Sequence, residues 1–156
     1  KYVYENYDHN FFITLDGDDQ FDLDSINTAI KEIDKNKIFI SSIRNIKNRN
    51  IEIFIDKIFT IFFKIKDPLS GLKIYSRKIL NMIDNKDKDY SGLLGMNYIL
   101  FCLIKKIKIY QFNIYVKPRK GCSTFGGIIK SNTIIIISLF KFFYKYIRFS
   151  IKYDWR

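Results

Sequence analysis

Phe11-Phe12-Ile13-Thr14-Leu15-Asp16-Gly17-Asp18-Asp19-Gln20-Phe21 is the stretch on which the reading of this chain turns. A short apolar run with β-branched residues at its centre reads as a buried strand. It breaks into Asp16-Gly17-Asp18-Asp19, where Gly17 permits a turn that other residues resist. With Asp22 and Asp24, five of the sixteen acidic residues fall between positions 16 and 24, in a chain of net charge +11. Carboxylates packed at the end of a buried strand repel one another unless a cation or a helix N-terminus compensates. Ligands of open α/β sheets bind just beyond the carboxyl ends of the strands. Asp16 and Asp18 therefore read as an Asp-x-Asp site for a divalent metal that holds a phosphorylated ligand. The competing reading is an acidic turn that simply caps the next helix. A calcium loop of the EF-hand type is rejected, because it needs Gly at the sixth position and Glu at the twelfth. Counted from Asp16, those positions hold Phe21 and Asn27.

The chain has 156 residues, enough for one domain with a real core. Hydrophobic residues make up 47% and aromatics 17%, which argues against disorder. Ala29 is the only alanine amid abundant Ile, Lys, Asn, Phe and Tyr, so single lysines and asparagines carry little weight. Cys102 and Cys122 form no CxxC pair or metal spacing and read as free thiols in a reducing compartment. His9 stands alone and reads as a surface loop residue. The chain is expected to start partway through a fold, without a signal peptide. No run reaches the roughly 18 apolar residues of a transmembrane helix.

Further along, Leu23, Ile26, Ile30 and Ile33 recur at helical spacing, with Asp22, Asp24 or Ser25 as the cap. Ile38–Ser42 reads as a second strand, followed by a polar loop containing Arg44 and Arg49, both taken as solvated. Ile51–Lys64 reads as a helix with Ile51, Ile55, Ile58 and Phe62 on one side. Pro68 and Gly71 force a turn before a short strand over Leu72–Tyr75. Ser91–Lys106 reads as a strongly apolar helix. Lys108–Lys117 alternates, with Phe112, Ile114 and Val116 on one face, until Pro118 ends it. A Gly-rich loop over Arg119–Gly127 leads to a long final helix, Ser131–Lys152.

The order of these pieces resembles the family 2 glycosyltransferases of the GT-A fold, in particular the dolichyl-phosphate mannose synthase and polyprenyl-phosphate glycosyltransferase branch. Three segments carry the resemblance. Leu15-Asp16-Gly17-Asp18-Asp19-Gln20 is similar to that branch's Asp-x-Asp-x-Gln motif. Asp67-Pro68-Leu69-Ser70-Gly71-Leu72-Lys73, with Arg77 after it, is similar to its Asp-x-x-Ser-Gly acceptor-side turn. Lys117-Pro118-Arg119-Lys120-Gly121-Cys122-Ser123 is similar to its Arg-x-x-Gly-x-Ser loop, shortened here to Arg119-x-Gly121-x-Ser123. Two departures stand out. Asp24-Ser25 replaces the proline pair that usually opens the helix after the first motif, and the family's first half is absent.

The resemblance implies an α/β fold: a partial GT-A, Rossmann-like mixed sheet flanked by helices, with a C-terminal amphipathic helix. Residues 1–127 would be the C-terminal part of the catalytic domain, and 128–156 a basic, membrane-proximal helix. It implies metal-dependent, inverting transfer of a mannose- or glucose-type sugar from a nucleotide-diphosphate sugar (GDP-mannose or a UDP-sugar) to polyprenyl or dolichyl phosphate. Asp16, Asp18 and Gln20 would hold Mg2+ or Mn2+ and the nucleotide diphosphate. Ser70, Gly71 and Lys73 would line the acceptor side with Arg119 and Ser123, and Asp67 would be catalytic in an orienting role. A phosphate monoester has its second pKa near ~6, so it needs positioning more than deprotonation. An arginine fork and a hydroxyl suit that task.

Lys141, Lys145, Arg148 and Lys152 return to one face of the final helix. Ile135, Leu139, Phe142, Phe143, Tyr146 and Phe149 spread over the rest. Such a helix is expected to lie in a membrane interface, which places the protein on the cytoplasmic face, bound to anionic lipid. Three other readings compete. One is a family 2 enzyme with a saccharide hydroxyl acceptor and Asp67 as base. Another is a basic nucleic-acid-binding module, disfavoured because the lysines are dispersed and the aromatics sit in apolar runs. The last is an inactive fragment.

Overall fold

A computed structural model describes residues 8–17, 20–82, 94–118 and 128–154. The described strands are β1 (Phe11–Thr14), β2 (Phe39–Arg44), β3 (Lys73–Ser76) and β4 (Ile109–Ile114). The helices are α1 (Leu23–Lys31), α2 (Asn50–Phe63), α3 (Arg77–Met82), α4 (Leu94–Ile104) and α5 (Ile128–Asp154). They build a mixed sheet of order β1-β3-β2-β4. β3 runs antiparallel to both β1 and β2, and β4 is parallel to β2. The carboxyl ends of β1, β2 and β4 and the amino end of β3 therefore share one edge of the sheet. In register, Lys73 stands opposite Thr14 on one side and Ser41 on the other.

Side chains alternate across a strand, and here they feed two cores. Phe39 and Tyr75 point to one face, where α2, α4 and α5 supply Ile55, Phe59, Met96, Ile99, Ile135 and Phe142. Ile40, Ile74, Phe112 and Ile114 point to the other, with Ala29 of α1 and with Val116. Helices thus cover both faces, as expected of this class. The alternation expected over 112–116 holds: Phe112, Ile114 and Val116 are buried. Cys102 is buried too, and burial pushes its thiol up to about 12. Cys122 lies outside the described residues.

Three helix faces depart from expectation. Asp22 does cap α1, accepting from the Ser25 amide at 3.0 Å. Yet Leu23 and Ile30 face solvent, and the buried positions are Ser25 and Ala29. Small residues let α1 approach closely, and the Ser25 hydroxyl donates to the Tyr115 carbonyl at 2.7 Å. On α2, Phe59 is buried and Phe63 packs beside it, while Phe62 is 69% exposed. On α5, Ile135 and Phe142 belong to the first core instead of to a lipid-facing side. Phe142 meets Phe59 at 4.9 Å between ring centroids, and Tyr146 meets Phe63 edge-on at 5.1 Å.

Candidate active site

The shared edge gathers segments far apart in sequence. Asp16 leaves the end of β1, exposed to solvent, and its carboxylate lies over Gly71. A Cβ on Gly71 would fall 2.1 Å from Asp16 Oδ2, so glycine is required for this approach. The Thr14 hydroxyl donates to the Gly71 carbonyl at 3.3 Å and ties the same two segments together.

Behind Gly71 the turn is fixed by buried charge. Asp67 is 1% exposed and accepts from Arg44 at both oxygens: from Nη2 at 2.8 Å on Oδ1, and from Nε and the backbone amide at 2.9 Å on Oδ2. This forked pairing is the geometry that suits guanidinium and carboxylate. Glu52 on α2 adds a second anion, 3.1 Å from Arg44 Nη2. Burial alone would lower the Arg44 pKa, but the Asp67 bond and the charges of Asp67, Glu52 and Asp16 outweigh it and hold the pKa above its ordinary value. Asp67 itself has φ of 44°, in the left-handed region. Its amide donates to Asp56 Oδ1 at 2.5 Å, and Asp56 also pairs with Lys47. Arg44 is thus not the solvated loop residue expected: it ends β2, and its partner lies 23 positions away.

Ser70 is buried, its hydroxyl 2.5 Å from that of Ser42. Lys73 is buried as well and donates its ammonium to the Ser70 carbonyl, bracing the turn from beneath. Burial pulls the Lys73 ammonium down to about 8; the Arg44 charge adds to this, while Asp67 and Asp16 oppose it. Gly95 on α4 leaves the space that the lysine chain occupies, since a Cβ there would meet Lys73 Cε at 2.6 Å.

Gln20 connects the first motif to the third. It is buried, and its amide donates to the Lys117 carbonyl at 3.2 Å while the Lys117 amide donates to the Gln20 carbonyl at 3.0 Å. Asn48 donates to Gln20 Oε1 at 3.4 Å. The segment entering the Arg119–Ser123 loop is therefore pinned beside the Asp16 turn. Asp18, Arg119 and Ser123 lie outside the described residues. Among those described, the edge brings together Asp16, Gln20, Asp67, Ser70, Gly71 and Lys73. Sequence reading missed Arg44, Ser42 and Glu52; the only signal for Arg44 was a lone charge at the end of an apolar strand.

Among the described residues no three His, Cys, Asp or Glu side chains converge to hold a metal. Asp16 nevertheless suits the sort of site Mg2+ uses, in which one or two carboxylates and substrate phosphates share the ion. Its carboxylate belongs to an exposed residue and lies at a strand end.

No protein-family model matches the sequence, and no curated protein matches it. Two crystal structures of glucosyl-3-phosphoglycerate synthase from Mycobacterium tuberculosis are similar in fold. One is in complex with phosphoglyceric acid, the other with Mn2+, UDP-glucose and phosphoglyceric acid. Each superposes with a TM-score of 0.54 at 11% identity, over 78% of this chain and 45% of the other. The chain therefore spans less than half the length of those solved proteins. The likeness is one of fold: the chain has part of a GT-A, Rossmann-like architecture.

Proposed function

We propose that this protein belongs to an enzyme that transfers a sugar from a nucleotide diphosphate to a polyprenyl or dolichyl phosphate, in the manner of the dolichyl-phosphate mannose synthase branch. The observation that carries the reading is the meeting, at one sheet edge, of the first motif with the second and with Lys117, which leads into the third. Asp16 touches Gly71, and Gln20 bonds Lys117. The Mn2+ and UDP-glucose in one fold neighbour support a nucleotide sugar and a divalent ion as ligands.

In this reading an acceptor phosphate oxygen forms a bond to the anomeric carbon while the bond to the nucleoside diphosphate breaks. The diphosphate leaves with the electron pair, and the configuration inverts. Asp16, with Asp18, would hold Mg2+ or Mn2+, which would offset the charge growing on the leaving group. Gln20 holds Lys117, two residues before Arg119, and Arg119 and Ser123 would hold the acceptor phosphate. Asp67 sets the turn through Arg44. Engagement of both its oxygens favours a phosphate acceptor over a saccharide hydroxyl, which would need a base at that place.

The test is transfer from labelled UDP-glucose and GDP-mannose to polyprenyl phosphate, polyprenol and an oligosaccharide, using the full protein. Label on polyprenyl phosphate alone, lost in Asp16→Asn, is the expected result. Transfer to the oligosaccharide but not to the lipid phosphate would replace the acceptor assigned here.

A further inference from the structure

Residues paired across the strands form rungs, and the members of a rung point to the same face of the sheet. Phe12, Tyr75, Phe39 and Ile109 make one rung, aromatic or aliphatic throughout. Two residues nearer the candidate site, on the same face, the rung is Thr14, Lys73, Ser41 and Gln111, polar throughout. Three of these four hold the main chain of one segment, Lys66 to Gly71. The Thr14 hydroxyl donates to the Gly71 carbonyl at 3.3 Å, and Lys73 donates to the Ser70 carbonyl. Gln111 takes the other end: its Nε2 donates to the Lys66 carbonyl at 2.6 Å, and its Oε1 accepts from the Lys66 amide at 3.0 Å. One side-chain amide thus serves both main-chain groups of Lys66, as a neighbouring strand would. Ser41 is buried, and its hydroxyl has no partner among the described residues.

The segment needs this support. Lys64 (φ 59°) and Asp67 (φ 44°) are left-handed without being glycine. Such backbone persists only where its surroundings over-determine it. Gln111 grips the chain between these two residues, from 45 positions beyond Lys66. The turn that follows carries Gly71, over which the Asp16 carboxylate lies. We propose that Gln111 is a positioning residue for the Asp16 site: by fixing Lys66 it sets the course of the turn from Asp67 to Gly71, and with it the place of the Asp16 carboxylate. It acts through the main chain, not by contact with the ion. The inference rests on the reading that Asp16 holds a divalent cation.

Titration of the full protein with Mn2+ alone, followed by the electron paramagnetic resonance of the free ion, tests it. The parent is expected to bind, and Asp16→Asn to weaken the binding. Gln111→Met keeps the length of the side chain and removes both bonds. It is expected to lower Mn2+ affinity by roughly tenfold, the lower end of what groups behind metal ligands contribute. In the Asp16→Asn background it is expected to change nothing further, because its effect runs through that carboxylate. Ser41→Ala, in the same rung, is expected to leave the affinity as in the parent. Gln111→Thr, too short to reach Lys66 but well suited to a strand, repeats the test should the methionine variant melt early. Unchanged affinity in both Gln111 variants overturns the inference and leaves the Asp16 site standing. An equal loss with and without Asp16, or a like loss in Ser41→Ala, also overturns it, since the rung would then merely support the fold. A parent that binds no Mn2+, or binds it no better than Asp16→Asn, overturns the metal reading and this inference with it.

Discussion

Asp16 and Asp67 are the same residue type at the same sheet edge, and they live in opposite environments. Asp16 is exposed and leans over a glycine; Asp67 is 1% exposed and grips an arginine with both oxygens. The difference teaches how the edge divides its work. In the proposed reaction, the carboxylate that would meet a changing ligand stays open to solvent. A carboxylate that shapes the turn is buried with its counterion, so its charge is spent inside the fold. The two are linked through Gly71, which lets the open one rest on the turn that the buried one sets.

The largest effect is expected at the buried pole. Arg44→Leu leaves the Asp67 carboxylate without its partner in a dry site and should cost about 3–5 kcal/mol of stability by chemical denaturation. A loss below 1 kcal/mol would place Asp67 in contact with water and collapse the contrast. Next is the ammonium beneath the turn. Lys73 has its folded pKa depressed to about 8 from 10.5. Between those values the unfolded chain binds more protons, so stability should climb as pH rises from 8 towards 10.5, by roughly 3 kcal/mol at most. Below pH 8 both states are protonated and this gain is absent. Denaturation midpoints across the window, compared with Lys73→Met, should show the slope only in the parent.

Gly71→Ala comes third. The new Cβ overlaps the Asp16 carboxylate, and relief of that clash should cost on the order of 1–3 kcal/mol while sugar transfer falls with the displaced carboxylate. Combining it with Asp16→Ala, which removes the obstructing atoms, should recover the stability but not the transfer. The smallest folding effect belongs to the open pole. Asp16→Asn should shift stability by no more than ~0.5 kcal/mol, as surface changes do. A loss comparable to that of Arg44→Leu would show that the two aspartates are not divided as described.

Much of this was legible in the sequence, and the failures have physical causes. β1 announced itself by an apolar run ending in Gly17, the α1 cap by Asp22, and β4 by alternation to Pro118. The three segments stood out in the sequence, but their contacts did not, because Asp16 and Gly71 or Gln20 and Lys117 meet only through the sheet. Arg44 was misjudged for the same reason: a strand-end charge looks solvated until the partner arrives from a later turn. The faces of α1 and α5 failed differently. On α1 a serine and an alanine are buried because the helix sits close to the segment that follows β4, at Tyr115, so size outweighed hydrophobicity. On α5 apolar residues fall on more than one face, and periodicity cannot say which of two apolar lanes meets the core.

The pairing of Gln20 with Lys117 spans 97 residues. Closing so long a loop is slow relative to forming local structure, because its entropic cost precedes any reward. The acidic turn can form early, next to its own helix, but its alignment with the loop after β4 waits until the last strand has docked. The site is therefore assembled last. The Lys117 amide should gain protection from hydrogen exchange in the same kinetic phase as β4, and ligand binding should appear in that phase and not before.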